Sequence, residues 1–159
     1  MAITIDGDGT ITGVSVGGLP DGIVDTDMLA AGAVTAAKRG AGAILQVVSV
    51  SDGDKQTTTA IIPLDNTKPQ NTEGAEFLTA AITPTSSTSK LWINVTVNLA
   101  ANPADTIAMA LFQDSDADAL SATVSYMPTN NGTQVMTLNH YMTAGTTSQT
   151  TFKLRAGNT

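Results

Sequence analysis

Lys90-Leu91-Trp92-Ile93-Asn94-Val95-Thr96-Val97-Asn98-Leu99 alternates between two kinds of side chain over ten positions. Leu91, Ile93, Val95, Val97 and Leu99 fall on one face; Trp92, Asn94, Thr96 and Asn98 fall on the other. A period of two is the signature of a half-buried β-strand, because successive side chains leave a strand on opposite sides. The apolar face must meet a core, and the polar face must meet water or a partner. Trp92 breaks the polarity of its face, so it is expected to pack on a neighbouring loop or subunit.

Further segments of the same kind lie on both sides of this strand. Ile44–Val50 and Thr57–Ile62 read as two strands, the first closed by Ser51-Asp52-Gly53-Asp54 and the second by Pro63. Leu64–Gly74 reads as a long loop. Glu76–Thr83, Thr106–Gln113, Ser121–Tyr126, Gln134–Met142 and Thr150–Arg155 read as strands, and Asn130-Asn131-Gly132 reads as a hairpin turn. No amphipathic helix of ten or more residues is evident. About eight short strands with regular turn signals imply an all-β fold, a β-sandwich or jelly roll. Residues 44–159 are assigned to this head domain.

Residues 1–43 differ. Glycine is dense and no aromatic residue occurs there. Ile3, Ile5, Ile11, Val14 and Val16 among turn residues suggest very short strands, and Leu19-Pro20-Asp21-Gly22 is a turn signal. Val24–Ala33 and Val34–Ala43 then form a short repeat sharing Val, Ala, Gly and Ala at matching places. Asp25 and Thr35 suit helix caps, and Gly32 and Gly42 suit helix stops. Two such units cannot bury a core alone. Either they pack against other copies as a Gly/Ala-rich stalk, or they form a free N-terminal arm.

Composition narrows the function. The chain has 159 residues, 14 acids against 7 bases, and a net charge of -7. An acidic surface repels phosphate backbones and anionic membranes, so nucleic acid is not an expected partner. No apolar run is long enough for membrane insertion, and Met1–Asp6 lacks a signal-peptide pattern. Without cysteine, disulfides and thiolate metal sites are excluded. Charged residues are only 13% of the chain, against about 25% in ordinary domains. Thr, Ser and Asn take their place, which suits a surface that lies against copies of itself.

No motif for chemistry emerges. Asp114, Asp116 and Asp118 have the opening spacing of a calcium loop, but Ala119 and Ser125 stand where glycine and glutamate are required. The run reads as a solvated turn, and Asp6-Gly7-Asp8-Gly9 and Asp52-Gly53-Asp54 read likewise. His140 is the single histidine, with no metal partners near it in sequence. No Gly-x-Ser-x-Gly elbow and no phosphate-binding glycine loop occur. Asn94-Val95-Thr96 and Asn131-Gly132-Thr133 match glycosylation sequons, idle without a secretion signal. No enzyme activity, cofactor or metal is expected.

Asn71-Thr72-Glu73-Gly74-Ala75-Glu76-Phe77-Leu78, continuing through Ile82-Thr83-Pro84-Thr85-Ser86-Ser87-Thr88-Ser89-Lys90-Leu91, and later His140-Tyr141-Met142-Thr143-Ala144-Gly145-Thr146-Thr147-Ser148, resemble the C-terminal domain of tailed-bacteriophage tail-fibre proteins. The resemblance spans roughly Ala43 to Gly157, and its motifs are loops and strand edges. The Ala-Gly-Ala-Val repeat similarly resembles the thin stalks of such fibres. Family members commonly continue past the Lys-Leu-Arg-Ala-Gly equivalent into a Gly-rich hairpin and a final apolar strand. Here Asn158-Thr159 follows instead, so an exposed edge is expected. A shorter domain, another subunit or further sequence would each account for it.

The resemblance implies a virion structural protein, made in the host cytoplasm and carried on the phage tail as a homotrimer. Its partners would be itself, other virion proteins of the tail or capsid, and a bacterial surface glycan. The loops at Asp114–Asp118, Met127–Gly132 and Thr143–Thr147 would offer contacts, with Asp114, Asp116, Asp118, Asn130, Asn131 and Thr146 as candidates. Trp92 and Tyr126 could stack on sugars, or serve core or interface packing. A capsid decoration or head-fibre protein is the alternative, favoured by the small size.

Overall fold

A computed structural model describes residues 42–159 continuously, and before them Thr4, Ile5, Gly7, Ile11, Thr12, Ala33, Val34 and Lys38. The chain divides into two compact units, Met1–Leu45 and Gln46–Thr159. In the first, β1 (Thr4–Ile5) and β2 (Ile11–Thr12) pair antiparallel. Most of the 24–43 repeat and the turn at Leu19–Gly22 lie outside the described residues, so the stalk reading does too.

The second unit is built from β3 (Ala75–Ile82), β4 (Lys90–Ala100), β5 (Asp105–Gln113), β6 (Ser121–Met127), β7 (Thr133–Thr143) and β8 (Thr150–Asn158). They form two antiparallel sheets, a four-stranded one in the order β3-β8-β5-β6 and a two-stranded one of β4 and β7. No described segment of this unit is helical. The architecture is therefore all-β and sandwich-like.

Period-two alternation sets which side chains face inward. Leu91, Met136 and Leu138 from the two-stranded sheet meet Ile107, Met109, Leu111, Phe152 and Leu154 from the four-stranded sheet in one core. Ile93, Val95, Val97 and Leu99 pack against it, as the sequence pattern of β4 requires. Three methionines, Met109, Met127 and Met136, fill this core where aromatic residues are scarce. Their flexible thioethers adapt to irregular gaps.

β5 is buried on both faces, and its sequence has no polar alternation from Ile107 to Phe112. Its second face belongs to a smaller cluster of Ile62, Ala108, Ala110, Phe112 and Ala119. Ile62 reaches this face because its amide donates to the Asn158 carbonyl at 2.8 Å, and Gly74 donates to the Ile61 carbonyl at 2.8 Å. Glycine is needed where this cover crosses the sheet. A Cβ on Gly157 would stand 2.5 Å from the Ala60 carbonyl oxygen, and one on Gly74 would stand 2.8 Å from Ile62 Cγ1. Arg155 fastens the same segment, donating from Nε to the Glu73 carbonyl and from Nη2 to the Gly74 carbonyl, each at 2.7 Å.

Three expectations are corrected. Ile44–Val50 joins no ladder. Thr57–Ile62 contributes only a single bridge, from Ile61 to Asn158. Both have strand-like composition, but a strand exists only where another edge accepts its hydrogen bonds. Asn130-Asn131-Gly132 does not close a hairpin, because β6 and β7 lie in different sheets. Asn131 does take a left-handed conformation with φ of 58°, as Asn tolerates, and the loop turns the chain from one layer to the other.

Candidate functional site

The structure scatters the candidate residues. Those in the acidic loop hold the fold together. Asp114 adopts a φ of 48° and accepts hydrogen bonds from Thr150 Oγ1 at 2.8 Å and the Thr151 amide at 2.7 Å. Its two carboxylate oxygens thus close the end of the β5–β8 pairing onto buried Thr150. Asp118 accepts from Gln70 Nε2 at 2.9 Å and lies 3.8 Å from Lys68 Nζ. The Asp116 carbonyl accepts from Asn71 Nδ2 at 2.9 Å. The loop is therefore a dock for residues 68–71, through main chain as well as side chains: Asn71 donates to Ala117 and Ala119 donates to Pro69. A shallow open depression lies beside it, lined by Lys68, Asp116, Ala117, Asp118, Ala119 and Leu120.

The other loops are similarly occupied. Asn130 Oδ1 accepts from the Ala104 amide at 2.8 Å, and the Asn131 amide donates to the Ala101 carbonyl at 2.8 Å. Thr146 Oγ1 accepts from the Ser148 amide at 2.9 Å, a local turn. Ala144 and Gly145 donate to Ser89 and Ser87, tying this loop to the β3–β4 connection. His140 is half-buried on the core-facing side of β7, opposite Ile93. Among the described residues, no cluster of three or more His, Asp or Glu could hold a metal, and no buried side-chain polar atom lacks a partner. No described helix is long and apolar enough to cross a membrane.

Trp92 and Tyr126 belong to different layers. Tyr126 sits on β6 of the four-stranded sheet, opposite Thr106, and is exposed. Trp92 sits on the outer face of the two-stranded sheet and is 74% exposed, packed beneath no loop. Directly across from it in the β4–β7 register stands Tyr141, 65% exposed. Sequence reasoning missed Tyr141. The signal was available in its parity on β7, where Val135, Thr137, Asn139 and Tyr141 share the face that Met136 and Leu138 do not use.

Trp92 and Tyr141 stand near one end of an open face. The next pair along the ladder is Asn94 and Asn139, joined by an amide–amide hydrogen bond of 2.6 Å. Thr96 and Thr137 follow, then Asn98 and Val135. On the other side, Lys90 Nζ donates to the Thr143 hydroxyl. Lys90 is the single charged residue on this face, although the chain carries -7 overall. The arrangement presents two aromatic rings, a strip of amides and hydroxyls, and almost no charge. Comparison with protein-family models and with curated proteins finds no match to this chain.

Proposed function

We propose that the chain is a structural and attachment component of a phage tail, not an enzyme. It self-associates as a homotrimer, and its sandwich-like head presents the outer face of β4 and β7 to a neutral bacterial surface glycan. The observation that carries this reading is the exposed Trp92–Tyr141 pair on a sheet face whose single charge is Lys90. The flat apolar face of a sugar ring stacks on an aromatic ring, while amides and hydroxyls beside it exchange hydrogen bonds with sugar hydroxyls. Such a contact is weak for one head. Three heads on one fibre, and several fibres on one particle, raise it by avidity. The resemblance of residues 71–91 and 140–148 to tail-fibre C-terminal domains supports the setting.

The test is immunogold electron microscopy of purified particles with an antibody against residues 46–159. Label on the tail is the expected result. Label spread over the head would replace this reading with a capsid decoration protein. On tail-labelled particles, Trp92→Ala should abolish glycan retention while leaving the fold unchanged, and retained binding would remove this face from the attachment role.

A further inference from the structure

Three features of the second unit fit one another and are unused by its fold. The first is Gln46-Val47-Val48-Ser49-Val50. It joins no ladder, and Val47, Val48 and Val50 are 77%, 43% and 49% exposed. β-Branched residues of this kind favour strands, and exposing several in succession is unfavourable. The second is β4. It pairs with β7 along all of Lys90–Ala100, and no described strand takes its other edge. Half of its backbone donors and acceptors therefore point outward without a ladder partner, as at any sheet edge.

The third feature is a mismatch in width. Four strands face two, and although Phe152 and Leu154 on β8 are buried in the core, the smaller sheet does not reach the outermost strand of the larger. β7 lies on the β6 side, where the Ser125 hydroxyl donates to Gln134 Oε1 at 2.7 Å. The uncovered side is thus that of β3. There Leu78 and Ile82 pack against the core but stay only half-buried. A strand added at the free edge of β4 would cover them.

We propose that this edge accepts residues 46–50 of a second copy of the chain, so that each copy donates one strand and receives one. The inference rests on the self-association in the reading above and names the surfaces that produce it. The chain's own segment leads into the opposite layer of the unit. It is anchored through Ile61 and Ile62 on the face of the four-stranded sheet that turns away from β4. Charge also favours like meeting like. No charged residue occurs from Ala41 to Ser51, and Lys90 is the only one on β4, so acidic copies meet where they are neutral. Donor and acceptor are different surfaces, so the exchange closes either as a reciprocal pair or as a head-to-tail ring such as the trimer of the reading above.

The absence of cysteine makes a clean test. Thr96→Cys is combined in the full chain with Val47→Cys or, separately, Val48→Cys, and oxidised. The expected product is covalent dimers and trimers on a denaturing gel from one of the two combinations. A monomer containing an internal disulfide would overturn the proposal, since the chain's own segment would then occupy the edge. Val48→Pro, which removes a ladder donor, should weaken association by about tenfold or more with an unchanged circular-dichroism spectrum. An oligomer indifferent to Val48→Pro and free of the crosslink overturns strand exchange while leaving self-association standing. A native chain that is monomeric by light scattering overturns both.

Discussion

β5 and β4 are both long strands, but they live in opposite circumstances. From Ile107 to Phe112, β5 is buried on both faces, between the main core and the segment that carries Ile62. β4 is half-buried, with its polar face open to solvent around Trp92. The difference follows from what lies outside each sheet. Ala108 and Ala110 leave room on the outer face of β5 for a covering chain, and Arg155 holds that chain by its carbonyls. No described segment covers the outer face of β4. One sheet of this unit is finished as a structural wall, whereas the other keeps a surface available for contact.

The largest effect expected from breaking that contrast is at Phe112. Phe112→Ala should cost about 3–5 kcal/mol in chemical unfolding, because it empties a buried site under the covering segment. Tyr141→Ala, an aromatic truncation on the open face, should cost about 0.5–1 kcal/mol, the scale of a cross-strand pair. Similar losses at the two positions would refute the contrast.

Gly157→Ala should rank next, destabilising by about 1–3 kcal/mol. The new methyl meets the Ala60 backbone, which cannot rotate away as a side chain could. Hydrogen exchange should show the loss concentrated in residues 60–74, with β4 and β7 protected as before. Exchange rising equally in both sheets would show that the cover is not a separable layer.

Asp114→Asn should cost about 1 kcal/mol, since an amide cannot accept both from Thr150 Oγ1 and from the Thr151 amide through two oxygens. Thermal unfolding would measure it. An unchanged midpoint would return the acidic loop to the list of free contact surfaces.

The smallest effect concerns Asp65 in the exposed part of the covering segment. Hydrogen bonds from the Thr67 hydroxyl and then the Thr67 amide hold its carboxyl below the ordinary aspartate value. A depressed folded value contributes stability above the unfolded value, and that contribution is lost as the pH falls through the folded one. An NMR titration should find the lowered midpoint, and Thr67→Val should move it upward. A titration indifferent to Thr67→Val would detach Asp65 from this turn.

Much of the strand layout was legible, because alternation and turn residues are local. β3 to β8 fall within a few residues of where the pattern puts them, and β4, β5 and β6 each differ by a single residue at one end. The errors share one cause. Ile44–Val50 has the composition of a strand, but composition does not supply the neighbouring edge that a strand requires. Asn131-Gly132 has hairpin chemistry, but the strands on either side of it belong to different sheets. At the candidate site, Trp92 was visible as an oddity on a polar face. Tyr141 was not, because 49 positions separate the two in the sequence and only the β4–β7 register joins them.

The all-β class, the inward faces of the strands and the low charge of the surface can be read from the chain alone. These depend on side-chain period and composition, which neighbours along the chain already specify. The tertiary structure decided which strands pair, that residues 60–74 wall off one sheet, that the acidic loop is a dock and not an open surface, and that Trp92 and Tyr141 stand together. Those outcomes depend on contacts between distant residues, whose loop-closure cost and packing no local pattern encodes.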